Sequence, residues 1–423
     1  MQKVLNQVIV QMTATGQMFE MADTEVHGNK MKTWVNAPNS LRDVWLSTTK
    51  YADQDYLVYD DERWTYQQAH DAVARIANWL STHGIKQHDR VAIALRNYPE
   101  WMLSYWAITS IGAVVVGINA WWVADELKHG LKDCDAKLLI CDAERLNRFS
   151  EIREEFAQLS VIAVRVEEVP SWAKPWNDVL EAEAIMPEAN IDTDDDACIF
   201  YTSGTTGFPK GAQLTHRNCT NHLFSYMFGS VSQGRANTLI KGELSLDQPD
   251  PNALQPSALV STPLFHVTAN NGLAHTLTAN GGKLVHMYKW DAGEALRLIE
   301  KEKITSFSGV PTMGRELINH PDFDQRDLSS LKQLGGGGAP VPPDLINKIN
   351  NRVASVTLAQ GYGLTEACGV VSASNGIFLL QKPNSAGIIL PVCEMKTINE
   401  QGKDLPRGET GEICIYGPHI VKG

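Results

Sequence analysis

Residues 201 to 211 read Tyr-Thr-Ser-Gly-Thr-Thr-Gly-Phe-Pro-Lys-Gly. Thr202, Ser203, Thr205 and Thr206 supply four hydroxyls, and Lys210 supplies a positive charge. Gly204, Gly207 and Gly211 let the backbone turn sharply and approach an anion. Successive backbone N–H groups in such a turn form an anion-binding concavity. The run is not a Walker A loop, which needs Gly before the Lys and Ser or Thr after it; here Pro209 precedes Lys210 and Gly211 follows. Read locally, it is either a phosphate cradle or a Ser/Thr/Gly turn between two strands.

Four other stretches could join it. Pro263-Leu-Phe-His266-Val places a histidine after a strand, as a core residue or facing a ligand's carboxylate or carbonyl. Ser308-Gly-Val310-Pro-Thr is a tight turn after a strand. Gly335 to Gly338 removes side chains from four consecutive positions, where a flat ring can lie against backbone. Gln360-Gly361-Tyr362-Gly363-Leu-Thr365-Glu366 joins an aromatic face for stacking, a hydroxyl for a phosphate oxygen and a carboxylate for Mg²⁺.

The elements that must position these residues are an alternation of strands and helices. Thr65-Tyr-Gln-Gln68 has capping-box form and starts a helix that Gly84 closes. Arg90–Leu95, Val114–Val116 and Lys137–Cys141 read as strands, with helices at 100–111 and 125–131 between them. The run 196–201 and the run 210–216 form a hairpin about the glycine-rich loop, and Thr215 begins a helix through Met227. A polar loop is expected at 229–257, then strands at 258–262 and 304–307. Asp291 caps a helix, Pro311 and Pro342 open two more, and 354–358 is a strand. After about residue 385, β segments at 396–399 and 412–416 indicate a small antiparallel unit.

The chain has 423 residues, too many for one ordinary core. A formal net charge of −12 argues against a nucleic-acid partner. The seven cysteines form no C-x-x-C pair, and the histidines form no H-E-x-x-H pattern. The cysteines read as core residues in a reducing compartment, the cytoplasm. Polar interruptions make the apolar window 107–124 a helix plus a buried strand rather than a membrane span. The acidic stretch 181–196 reads as a linker between two α/β units.

In this order, YTSGTTGFPKG, PLFHV, SGVPT, GGGGAPV, QGYGLTEACG and GEICIYGP resemble the AMP-forming acyl-CoA synthetases of the adenylate-forming superfamily. The likeness runs from about residue 40 to the end. It implies an α/β fold with two flavodoxin-like parallel-sheet subdomains, at about 41–185 and 190–385. A small antiparallel β subdomain would follow at 386–423, and residues 1–40 would be a lead-in. It implies that residues 202 to 210 hold the ATP β- and γ-phosphates. Gly338, Ala339, Pro340 and Tyr362, with Gly361 and Gly363, would flank adenine. Thr365 would meet the α-phosphate, Glu366 would bind Mg²⁺, and His266, Val310, Gly337 and Gly363 would border the acyl pocket. Lys210, Thr365 and Glu366 would act at the reacting phosphates. The implied reaction converts a carboxylic acid, expected to be a medium- or long-chain fatty acid, to acyl-AMP and pyrophosphate. CoA then takes the acyl group. An acyl-carrier protein as acceptor, or a nucleotide-binding protein without turnover, are the competing expectations. A homodimer and peripheral membrane contact stay open. The family's ribose-binding Asp segment and small C-terminal domain, with its catalytic Lys, are not in this sequence, so the chain alone is expected to be weakly active or inactive.

Overall fold

The computed structural model describes residues 1–203, 207–242, 253–353 and 356–423. Two sheets dominate it. The first runs Lys210–Thr215, Asp196–Thr202, Val114–Gly117, Arg90–Ala94, Leu138–Asp142, Ser160–Val164, Lys174–Pro175. All its neighbours are parallel except the first pair, which is the expected hairpin. The second runs Ile388–Ile389, Gly369–Asn375, Thr357–Leu364, Gln333–Gly336, Ser306–Gly309, Ser257–Val260, Lys283–His286, Asp55–Tyr59, Glu62–Thr65. Its middle is parallel and both its edges are antiparallel. Glu394–Ile398 and Glu412–Tyr416 pair separately as the small antiparallel unit.

Local signals hold where they are chemical. Thr65 and Gln68 form the reciprocal capping box at the head of Tyr66–Thr82. The Asp291 carboxylate accepts from the Glu294 N–H at 2.8 Å, and Pro311 occupies the first turn of Pro311–Asn319. The apolar window divides as expected: Pro99–Ser110 is a helix buried on every side, and Val114–Gly117 is a buried strand. Among the described residues no helix is long and apolar enough to cross a membrane.

Two expectations are corrected, and the packing of the lead-in is added. The sheets exchange strands across the division at about 185: Asp55–Tyr59 and Glu62–Thr65 join the second sheet, and the hairpin of 196–215 joins the first. Tyr56 decides part of this. It is fully buried, its hydroxyl pairs with the Thr278 hydroxyl at 3.0 Å, and it accepts the Trp106 indole N–H at 2.7 Å. The lead-in is ordered by its packing. Leu5, Val8 and Met12 of helix Gln2–Met12 share a cluster with Phe224 and Phe228, and the Trp34 indole donates to Ser225 at 2.9 Å. The loop expected from 229 is instead helical to residue 241, within His216–Lys241. At Gly229 a Cβ would stand 3.1 Å from Leu390, so this glycine serves close packing; Gly242, at φ 72°, ends the helix. Residues 243–252 of that expected loop, and the first two of the strand expected at 354–358, lie outside the described residues.

Candidate functional site

The hairpin brings Thr202 opposite Lys210, and the Thr202 hydroxyl donates to the Lys210 carbonyl at 3.4 Å. The strand is rooted by Tyr201, whose hydroxyl donates to Asp133 at 2.8 Å. Ser203, Gly207 and Lys210 are exposed. Phe208 is 65% exposed, with one face stacked on the His129 ring at 4.4 Å. Gly204, Thr205 and Thr206 lie outside the described residues.

In the second sheet, strands Ser306–Gly309, Gln333–Gly336 and Thr357–Leu364 run parallel, Gly309 beside Gly336 and Gly336 beside Gln360. The carboxyl ends of such strands are where open α/β sheets take ligands. A cavity of about 380 Å³ lies there. Of the residues expected in the site, Gly337, Gly338, Gly361, Gly363 and Thr365 line it. Ala339 and Pro340 follow on the exposed surface, Tyr362 is half-buried in its strand, and Glu366 is exposed one residue beyond the wall. Val310 stands behind the glycine shelf, 3.7 Å from where a Gly338 Cβ would be. His266 is outside the lining. It is half-buried beside Phe265 at 4.7 Å between ring centroids, and burial lowers its pKa.

The turn Thr365–Ala367 is held from several sides. The Glu366 carbonyl accepts the Val421 N–H at 2.7 Å, and the Ala367 carbonyl meets His419 Nδ1 at 3.0 Å. Cys368 has φ 58°, a strained value for a side-chain-bearing residue. Its thiol accepts from the Asn271 amide at 3.0 Å, and the Val370 N–H donates to His222 Nε2 at 2.9 Å. A Cβ at Gly363 would lie 1.8 Å from the Gly369 carbonyl oxygen, so only glycine fits where these two strands cross their irregular register.

Residues that sequence reasoning missed complete the walls. Gly229 and Ser230 come from the helix beyond 227, where it was read as ending, so the misplaced helix end hid them; Tyr226 lies within the helix as read. Ser306, Ser308, Gln333, Gln360 and Asn375 add polar atoms, and Val267, Leu273, Leu277, Phe307 and Leu390 add apolar surface. Ser308 and Gln360 stood within motifs already singled out; the period-two pattern of their strands was the available signal. Among the described residues no group of three or more His, Cys, Asp or Glu is placed to hold a metal. The exposed Glu366 carboxylate nevertheless fits Mg²⁺, which binds through one or two carboxylates plus phosphate oxygens and retains water.

Comparisons with known proteins show the family and the fold. The model of the AMP-binding enzyme family matches residues 44–423. A feruloyl-CoA synthase of Amycolatopsis sp is 34% identical over 359 residues, 85% of this chain and 66% of that protein. A 4-coumarate–CoA ligase of Petroselinum crispum is 31% identical over 371 residues, 86% of this chain and 64% of that protein. The chain therefore spans just under two thirds of the length of these relatives. Among solved structures, an anthranilate CoA ligase in complex with anthranoyl-AMP has the same fold, with TM-score 0.79 at 22% identity over 90% of this chain and 70% of that one. The inhibitor-bound N-terminal domain of FACL13 from Mycobacterium tuberculosis matches with TM-score 0.75 at 25% identity, over 90% of each chain.

Proposed function

The chain belongs to the AMP-binding enzyme family, and from that premise we propose that it is the ATP- and acid-binding part of a cytoplasmic AMP-forming acid–thiol ligase. One observation supports this most: a single cavity joins the glycine shelf Gly337–Gly338, the Thr365 hydroxyl and a mixed polar and apolar recess. A carboxylate oxygen attacks the ATP α-phosphorus, the bond to the β-phosphate oxygen breaks, and pyrophosphate leaves. A thiol then attacks the acyl carbonyl and AMP departs. The nucleophile is the substrate's own carboxylate, so the protein's task is positioning and charge neutralisation.

In this reading residues 202–210, with Lys210 foremost, hold the leaving phosphates. Gly361, Tyr362 and Gly363, with Gly338, Ala339 and Pro340, flank adenine. Thr365 meets the α-phosphate. Glu366 would hold Mg²⁺, which neutralises phosphate charge when bound. Gly337 and Gly363 border the acid, while His266 and Val310, expected beside them, stand outside the cavity's lining. The Ser306, Ser308, Gln333 and Asn375 side chains favour a planar aromatic acid bearing a hydroxyl, in keeping with the feruloyl- and coumarate-specific names of the relatives. A medium- or long-chain fatty acid is the second reading, favoured by the Val267, Leu273, Leu277 and Phe307 walls. CoA is the proposed acceptor, and a carrier protein its competitor.

The test is ATP–pyrophosphate exchange by the whole gene product over a panel of hydroxycinnamic, benzoic and fatty acids. Exchange with at least one acid, and an Lys210→Ala loss on the order of 100-fold, are expected. No exchange with any acid sinks the ligase reading. A fatty acid outperforming every aryl acid overturns the acid class.

A further inference from the structure

The last described residues run between the two ligand loops. Asn218, at the head of helix His216–Lys241, donates its amide to the Pro418 and Ile420 carbonyls at 2.8 and 2.9 Å. Gln213 of the hairpin strand accepts from the Lys422 N–H at 3.1 Å and donates to the Gly423 carbonyl at 3.0 Å. Between these anchors, the Val421 N–H holds the Glu366 carbonyl at 2.7 Å. His419 sits at the centre, fully buried. Its Nδ1 meets the Ala367 carbonyl at 3.0 Å, and its Nε2 meets the Cys393 thiol at 2.6 Å.

The chemistry of these atoms sets the proton positions. A carbonyl oxygen only accepts, so Nδ1 carries the hydrogen. Nε2 of the neutral ring is then an acceptor, and the Cys393 S–H donates to it. We propose that His419 is a positioning residue: bridged between Cys393 and the Ala367 carbonyl, it sets the turn that presents Thr365 and Glu366 to the nucleotide. The proposal rests on the functional reading above. Burial supports the neutral form of both partners, lowering the His419 pKa to about 4 and raising that of Cys393 to about 12.

The turn needs such a tether. The positive φ of Cys368 persists only if the surroundings over-determine it. Holding the carbonyls of two consecutive residues, Glu366 and Ala367, does this, and the same segment's pairing with Gln213 fixes the turn relative to the strand that begins at Lys210.

The experiment uses the whole gene product and two independent readouts. Nitrogen-15 spectra of the wild-type protein should show His419 as the Nδ1–H tautomer, and an Nε2–H tautomer overturns the proposal. In ATP–pyrophosphate exchange, His419→Ala should raise KM for ATP about tenfold, the scale of one buried hydrogen bond, with KM for the acid within about twofold. His419→Asn places an amide N–H where Nδ1 stood and should recover KM for ATP to within about threefold of wild type. A general structural role predicts no such selectivity and no rescue by Asn, and either result overturns the assignment. Amide exchange at Cys368, whose N–H donates to the Thr365 carbonyl at 2.9 Å, should accelerate in His419→Ala; unchanged protection counts against the tether. If the wild type catalyses no exchange, the functional reading fails by itself, while the tautomer and amide readouts still judge the tether.

Discussion

The hairpin end at Gly207–Lys210 and the turn at Thr365–Ala367 each carry a single charge, Lys210 and Glu366, yet their surroundings differ. At the hairpin, Lys210 is exposed, a Cβ on Gly207 would meet nothing within 4 Å, and Phe208 shows most of its surface to solvent. At the turn, two successive carbonyls are held from the C-terminal segment, Cys368 is buried at a strained φ, and Gly363 leaves no room for a single added carbon. The contrast suits two tasks. Under the proposed function, a loop that grips leaving pyrophosphate must release it, whereas in-line attack at the α-phosphorus tolerates little misplacement.

The comparison can be broken most directly at Gly363. Gly363→Ala should force the Gly369 backbone aside, costing about 3 kcal/mol in urea unfolding and abolishing nucleotide binding by calorimetry. A variant as stable as wild type that still binds ATP would show the turn to be as yielding as the hairpin.

Acid should come next, because it acts on buried histidines. Burial lowers the pKa of His216 to about 4 and of His275 and His286 to about 3. Unfolded histidine titrates near about 6.5, so below that pH the unfolded chain binds more protons than the folded one. Their stabilising effect is complete above about pH 6.5 and is lost as pH falls toward the folded values. At pH 5 each of the three should cost about 2 kcal/mol, so the urea midpoint should drop sharply between pH 7.5 and 5. A flat midpoint would mean that these rings are reached by solvent.

The smallest effect belongs to Phe208→Ala. Its ring is stacked on His129 but largely exposed, so unfolding should change by about 0.5 kcal/mol or less. A loss above about 2 kcal/mol would show the hairpin end to be anchored as firmly as the turn.

Much of this was readable in the sequence, for identifiable reasons. The caps at Thr65 and Asp291 and the opening of a helix at Pro311 depend on atoms within a few residues of each other, and the structure keeps all three. The glycine shelf could be located, since four adjacent glycines have few other uses. The helix through residues 229–241 was missed because its glycine and polar content obeys distant packing against Leu390 rather than local propensity. With it went the cavity wall at Gly229 and Ser230. Nothing local distinguished His419, whose partners Ala367 and Cys393 stand 52 and 26 residues away.

By itself the sequence determined the order of the motifs, the alternation of strands and helices and the kinds of chemistry each loop can offer, because side-chain type and turn geometry are local properties. Only the tertiary structure decided that Asp55–Tyr59 crosses to the second sheet, that the hairpin of 196–215 closes the first, and that residues 418–423 tie the hairpin strand at Gln213 to the turn at Thr365–Ala367. Those choices are made by burial and hydrogen bonding between segments far apart in the chain, where the free energy depends on what surrounds a residue rather than on its neighbours in sequence.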